Sequence, residues 1–178
     1  MKLSHINYYE MFPTNWLKLE LKDVLFPMKS KRPQGEYFEY IDIEAIDNRK
    51  HQIYNTKLLK CSNAPSRASR KVNKGDILFS TVRPYLENIA IVEEKHENCI
   101  ASTGFYVCSP YKIIESKFMY YFLLSPYCIN YVMPHMKGEN SPSIRGSILE
   151  NMIFAFPSKQ EQTRIILMID KILNFLLE

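Results

Sequence analysis

Apolar positions along the chain change period several times, and each period predicts an element. Leu17, Leu19 and Leu21 alternate with Lys18 and Glu20, the two-residue repeat of a half-buried strand, and the stretch from Leu21 to Leu25 tightens into a helical turn. Tyr37-Phe38-Glu39-Tyr40-Ile41-Asp42-Ile43 alternates again and is rich in aromatic residues, which predicts a second strand. After a Lys74-Gly75 turn, Asp76-Ile77-Leu78-Phe79-Ser80-Thr81-Val82 reads as a buried strand. Residues 88–92 and 100–108 predict two more. Strands this close together along the chain predict antiparallel or mixed pairing.

From residue 116 the period lengthens. Segments 116–125 and 126–136 predict two helices, with Pro126 suited to a first turn. A polar loop over 137–143 precedes a short strand over 151–156 that Pro157 closes. Ser158-Lys159-Gln160-Glu161 has the form of a capping box. Beyond it Ile165, Ile169, Ile172 and Leu176 recur at spacings of four, three and four. Ile166, Met168, Leu173, Phe175 and Leu177 make the same helix too apolar for a solvated surface, so it needs a partner face. The pattern predicts an α/β (α+β) fold: a mixed, largely antiparallel sheet with flanking helices and a projecting C-terminal helix. Residues 1–157 form the domain and 158–178 the start of a long helix.

Composition narrows the class. A chain of 178 residues with 46% hydrophobic positions buries a core and is not disordered. The formal charge of +4 is only mildly basic and decides little. Cys61, Cys99, Cys108 and Cys128 form no C-x-x-C pair, so no metal site is expected. The opening MKLSHINYYE lacks an apolar leader core. Four reduced thiols in a cytoplasmic protein are therefore expected. The longest apolar stretch, 118–133, is interrupted by Ser125, Pro126 and Asn130 and is shorter than the roughly 20 residues a membrane helix needs, so no membrane association is expected.

Enzyme signatures are missing. There is no phosphate-binding G-x-x-x-x-G-K-[ST] loop, no G-x-G-x-x-G and no G-x-S-x-G elbow. His5, His51, His96 and His135 are scattered without ligand spacing and read as surface residues. One loose pattern, Asp76 followed by Glu93-Glu94-Lys95, is compatible with a small Mg²⁺-dependent nuclease. The plainer reading is a strand-initiating Asp and a charged hairpin tip. Nucleic-acid signals are stronger in number. Lys57, Lys60, Arg67, Arg70, Lys71 and Lys74 form a run without an acid, suited to phosphates or simply to water. Arg83, at the end of a buried strand, is placed either to fork onto guanine or phosphate or to pair with Glu87. Lys137-Gly138-Glu139-Asn140-Ser141-Pro142-Ser143 is dense in hydrogen-bonding groups. A protein-interaction module using its aromatic residues, with no DNA at all, also remains open.

The order of segments carries a resemblance. Ala64-Pro65-Ser66-Arg67-Ala68-Ser69-Arg70-Lys71-Val72 and then Lys74-Gly75-Asp76-Ile77-Leu78-Phe79-Ser80-Thr81-Val82-Arg83-Pro84-Tyr85 resemble the specificity subunits of Type I restriction-modification systems. Ala101-Ser102-Thr103-Gly104-Phe105, Met136-Lys137-Gly138 with Pro142, and Ile153-Phe154-Ala155-Phe156-Pro157 before Glu161-Gln162-Thr163-Arg164-Ile165 continue it. With the Trp16 segment, the likeness covers nearly everything after about residue 14.

The resemblance implies a non-catalytic subunit that reads double-stranded DNA. Such subunits carry two target-recognition domains joined by long helices, which bind methyltransferase subunits and, through them, a restriction subunit. S-adenosylmethionine, ATP and Mg²⁺ then belong to those partners, with no cofactor in this chain. One recognition domain stands here where the family has two, and the sequence stops roughly 20 residues into the helix, so it is a truncated chain, a fragment or a naturally short half-subunit. A half-subunit could pair with itself through this apolar helix as a two-fold homodimer. The expected DNA contacts are Lys29, Lys31 and Arg32; Arg67, Arg70 and Lys71 on phosphates; Ser80, Thr81, Arg83 and Tyr85; and Lys137, Asn140, Ser143 and Arg145. Arg83, Asn140 and Ser143 are the expected base readers. Ile165, Ile169, Ile172 and Leu176 are the expected partner face.

Overall fold

A computed structural model describes residues 10–177. His5 and the opening leader lie outside the described residues, as does the side chain of Leu177. In chain order the strands are β1 (Leu17–Glu20), β2 (Leu25–Phe26), β3 (Tyr37–Ile41), β4 (Ile46–Asp47), β5 (Gln52–Ile53), β6 (Lys57–Lys60), β7 (Ala68–Lys71), β8 (Ile77–Ser80), β9 (Ile89–Ile91), β10 (Ile100–Ser102), β11 (Phe105–Pro110) and β12 (Ile153–Phe156). The α-helices are α1 (Ser116–Leu123), α2 (Pro126–Val132), α3 (Gly146–Glu150) and α4 (Lys159–Leu177).

Two four-stranded sheets, ordered β6-β3-β10-β7 and β2-β11-β8-β9, carry the fold. Among the described residues every pairing is antiparallel except β3 with β10, which gives the mixed, largely antiparallel arrangement the sequence predicts. The second sheet is a middle layer. From β8, Ile77 and Phe79 join one core with Phe118, Met119, Phe122 and Phe154, while Leu78 joins another with Ile41, Ala101 and Phe105. β11 divides the same way, Tyr106 and Cys108 to one side, Phe105 and Val107 to the other. A strand covered on both faces has no polar position to spare, and this is why 77–79 reads as a continuous apolar run rather than an alternation.

The first core is aromatic. Phe154 packs edge-on against Phe122 at a centroid distance of 4.7 Å, and Phe156 stacks on Phe154 at 5.6 Å. β12 pairs with β1, Leu17 opposite Phe156, and so ties the two ends of the domain together. Pro126 sits in the first turn of α2, as predicted, with the Ser125 hydroxyl accepting the Cys128 N–H.

Several elements differ from the sequence reading, and β2, β4, β5 and α3 have no counterpart in it. The segment 100–108 is two strands, broken at Thr103-Gly104, and the acid-free run 57–74 contains strands β6 and β7. Both of these strands lie at a sheet margin and mix charged with half-buried positions, and a short edge strand of that composition cannot be told from a polar loop by periodicity.

Helix α4 is capped as predicted on one side only: the Ser158 hydroxyl accepts the Glu161 N–H at 3.4 Å, while the Glu161 carboxylate turns to Arg164. Its root is fixed by Gln162, which is fully buried. The Gln162 amide donates to the carbonyls of Ile113 and Pro157, both at 3.1 Å, and accepts the Glu115 N–H at 2.8 Å. Ile165 and Ile166 pack on the first core, and Lys117 pairs with Asp170 at 2.7 Å. From residue 171 to 176 every position is exposed.

Candidate nucleic-acid interface

The first part of the candidate surface is a cationic edge. The loop carrying Lys29, Lys31 and Arg32 lies along the free margin of β7. Lys31 N–H donates to the Ser69 carbonyl and Lys71 N–H to the Lys29 carbonyl, both at 2.9 Å, and Ser30 bridges Arg70. These bonds bring Lys29, Lys31 and Arg32 beside Arg67, Arg70 and Lys71, which the sequence separates by more than 30 residues. Lys29, Lys31, Arg32 and Arg67 are exposed, Arg70 and Lys71 half-buried. None of the six has an ion pair among the described residues. Arg70 is the most constrained, with its Nε buried and unpartnered.

The rest of the basic run is spoken for. Lys57 pairs with Asp42 at 2.5 Å and Glu44 at 3.2 Å, Lys74 pairs with Glu94 at 2.8 Å, and Lys60 lies over the Tyr37 ring. Two of the six cations in a stretch free of acids are thus ion-paired in space, and Arg67, Arg70 and Lys71 at the β7 edge remain unpaired among the described residues.

The second part is a knot of two loops, 80–85 and 137–145. Ile144 N–H donates to the Thr81 carbonyl at 2.9 Å, Val82 bridges Ser143, and Arg83 N–H donates to the Pro142 carbonyl at 2.7 Å. The Arg83 guanidinium donates to the Asn140 carbonyl at 2.8 Å rather than pairing with Glu87. Lys137 and Ser143 exchange both backbone hydrogen bonds at 2.9 Å. Arg83 itself is left-handed, φ 47°, immediately before Pro84. A residue before proline is pushed toward extended backbone, so this conformation persists only because its neighbours hold it. Arg83, Tyr85, Lys137, Asn140 and Arg145 are exposed and Ser143 is half-buried.

One expected contact is corrected. Ser80 is 1% exposed, and its hydroxyl donates to the Val82 carbonyl at 2.7 Å. It shapes the knot from inside and faces no ligand, because a strand-end position covered on both sides has no route to solvent. The Thr81 hydroxyl is likewise engaged, donating to the Gly104 carbonyl at 2.9 Å, but Thr81 keeps partial exposure.

A two-residue joint unites the parts. Thr103 N–H donates to the Arg67 carbonyl at 2.9 Å, and the Gly104 carbonyl accepts both the N–H and the hydroxyl of Thr81. A Cβ at Gly104 would come within 2.9 Å of the tip of the Ile43 side chain, so a larger residue here would make that side chain shift. Thr103 is exposed between Arg67 and Thr81. Sequence reasoning missed it as a surface contact. Its only signal was the Ala101-Ser102-Thr103-Gly104-Phe105 block, which reads as strand interior.

The nuclease pattern dissolves in three dimensions. Asp76 is 5% exposed and accepts the Asn73 backbone N–H at 2.7 Å and side-chain N–H at 3.2 Å. It closes the turn that Gly75 makes at φ 86°, and burial raises its pKa. Glu93 pairs with Lys95 at 2.8 Å, and among the described residues no three metal-ligating side chains cluster. The thiols are also quiet: Cys99, Cys108 and Cys128 are buried, and burial together with a bond to Glu39 pushes Cys99 up to about 12.

Helix α4 divides the expected partner face. Ile165 packs partly into its own domain and Ile169 is half-buried, whereas Ile172 and Leu176 are 57% and 72% exposed. Phe175, at 78%, extends that bare end. No helix of the described residues is long and apolar enough to cross a membrane.

The chain is similar to known proteins both in sequence and in fold. Residues 13–178 match the family described as Type I restriction modification DNA specificity domain. The specificity subunit of the Type I restriction enzyme HindI from Haemophilus influenzae is 22% identical over 86% of this chain and 34% of its own length. The solved HsdS subunit from Thermoanaerobacter tengcongensis superposes with a TM-score of 0.84 at 31% identity, over 92% of this chain and 43% of that one. A chain from a structure addressing complex assembly and conformational transition of the type I R-M system matches at the same TM-score and identity, over 91% of this chain and 43% of that one. The chain therefore spans about a third to under a half of the relatives it matches, and it belongs to the Type I restriction modification DNA specificity domain family.

Proposed function

We propose that this chain recognises a specific sequence in duplex DNA and catalyses nothing itself. The observation that carries the reading is the chain of hydrogen bonds that links the cationic β7 edge, through Thr103 and Gly104, to the Arg83 knot. Its two ends suit two tasks. Unpaired ammonium and guanidinium groups attract phosphates whatever the sequence. Exposed forks and amides on a rigid frame discriminate base edges. Arg67, Lys71 and the loop with Lys29, Lys31 and Arg32 position the duplex, while Arg83, Asn140, Ser143 and Arg145 read it. Methyl transfer with S-adenosylmethionine, and ATP- and Mg²⁺-dependent cleavage, fall to methyltransferase and restriction subunits. The exposed end of α4, with Ile172, Phe175 and Leu176, is the surface on which such a partner or a second copy would pack.

Selection of duplexes from a randomised pool by the purified chain, alone and with a companion methyltransferase, tests the reading. An enriched motif and an affinity that falls steeply with salt are expected. A flat salt response with no enrichment favours the protein-interaction alternative and rejects the proposal.

A further inference from the structure

Three non-glycine residues among those described have left-handed backbone: His51 (φ 51°), Arg83 (φ 47°) and Glu87 (φ 53°). They belong to one physical unit. Arg83 and Glu87 flank the single helical turn Pro84–Leu86, with Leu86 N–H donating to the Arg83 carbonyl at 2.9 Å and Glu87 N–H to the Pro84 carbonyl at 3.0 Å. His51 lies in the tip of the β4–β5 hairpin, more than 30 residues away in sequence. Its Nδ1 donates to the Glu87 carbonyl at 3.1 Å, and the Asn48 amide donates to the Leu86 carbonyl at 2.9 Å. The hairpin is itself anchored: Ala45, Ile46 and Ile53 are buried in the second core, and Asp47 accepts the N–H groups of Arg49 and Lys50. Asn48 and His51 are not needed to close the turn, which has its own backbone bonds, and they reach no other described partner.

We propose that Asn48 and His51 are positioning residues: the hairpin grips the back of the 83–87 turn so that Arg83 is held, left-handed and ahead of a proline, in the orientation in which it reads DNA. The proposal rests on the DNA-recognition reading given under the proposed function. Strain of this kind is kept where surroundings over-determine it. Here the front of the turn is tied to the carbonyls of Asn140 and Pro142 and the back to the hairpin. Removing the rear ties lets the turn relax toward extended backbone at Arg83, with the charge retained but its aim gone.

The test uses the full chain with Asn48→Ala, His51→Gly and the double variant. Glycine removes the donor without adding backbone strain, and Gln52→Ala on the same hairpin serves as control. Two quantities are measured: hydrogen exchange at the Leu86 and Glu87 amides, and the affinity ratio between the duplex the unsubstituted chain selects and a scrambled duplex of equal composition. We expect about 5- to 30-fold faster exchange and a comparable loss of the ratio in the double variant. Scrambled-duplex affinity and salt slope stay unchanged, and Gln52→Ala is silent. Unchanged exchange overturns the proposal, and so does faster exchange with the ratio intact. An equal loss on both duplexes, or full discrimination in His51→Gly, overturns it too. Should the unsubstituted chain select no sequence, the DNA reading fails, and the exchange measurement alone then decides whether the hairpin holds the turn.

Discussion

The cationic edge and the Arg83 knot are joined through Thr103-Gly104 but are built in opposite ways. At the edge, two backbone hydrogen bonds around one isolated bridge tie the 29–32 loop to β7, and the side chains of Lys29, Lys31, Arg32 and Arg67 have no ion-pair partners among the described residues. In the knot, the backbone is irregular and the groups that matter are fixed by carbonyls from a distant loop. Loose cations on a plain strand supply attraction that tolerates displacement. A clamped guanidinium on a strained turn supplies aim. On the proposed DNA-reading function, affinity and discrimination would then have separate structural origins in this domain, and they should respond separately to mutation.

The most direct challenge to this division of labour is Arg83→Ala. It should lower affinity for the selected duplex by about 10- to 100-fold, the worth of one good base contact, and leave scrambled duplex nearly unchanged in a competition titration. Next, Arg67→Gln with Lys71→Gln should weaken both duplexes alike and reduce the slope of log affinity against log salt by about 0.9 for each phosphate no longer neutralised. A selective effect there, or a uniform one at Arg83, would merge the two regions into one. Thr81→Val probes the joint: removing the hydroxyl bond to the Gly104 carbonyl should cost about 1 kcal/mol and lower the melting midpoint by about 2–4 °C in a thermal scan.

The smallest effect expected is a pH dependence from His96, in the short turn before β10. His96 is buried with Nδ1 unpartnered, and burial, then Lys95, hold its pKa below the usual 6.5. The folded state therefore binds fewer protons than the unfolded one below pH 6.5. Its stabilising contribution is complete above that value and is lost as the pH falls toward the lowered one. Denaturant midpoints between pH 7 and 5 should show the decline, and His96→Gln should flatten it.

Much of the fold was legible in the residues. The switch from two-residue to longer periods placed α1, α2 and α4 and the central strands, because those elements bury whole faces and cannot hide their pattern. The margins were less legible. β6 and β7 are short and charged, and the break at Thr103-Gly104 falls inside a run whose apolar residues read as continuous strand. His51 and His96, which read as surface residues, are respectively a turn anchor and a buried ring. Gln162 looked like one polar residue of a first helical turn, yet its three hydrogen bonds fix where α4 leaves the domain.

The residues alone set an inventory: which stretches must be covered, where runs of apolar residues demand a partner, and the ordered blocks that mark the family. These are local or additive properties, since a side chain's transfer free energy and a segment's period are the same wherever the segment lies. Which charges stay free and which loops meet was settled only once the chain had folded. Lys57 and Lys74 gave up their availability to acids brought in by strand pairing and turns, Ser80 was sealed between layers, and Arg83 met the 137–145 loop. Ion pairing and occlusion depend on distances across the fold, and no property of neighbouring residues encodes those distances.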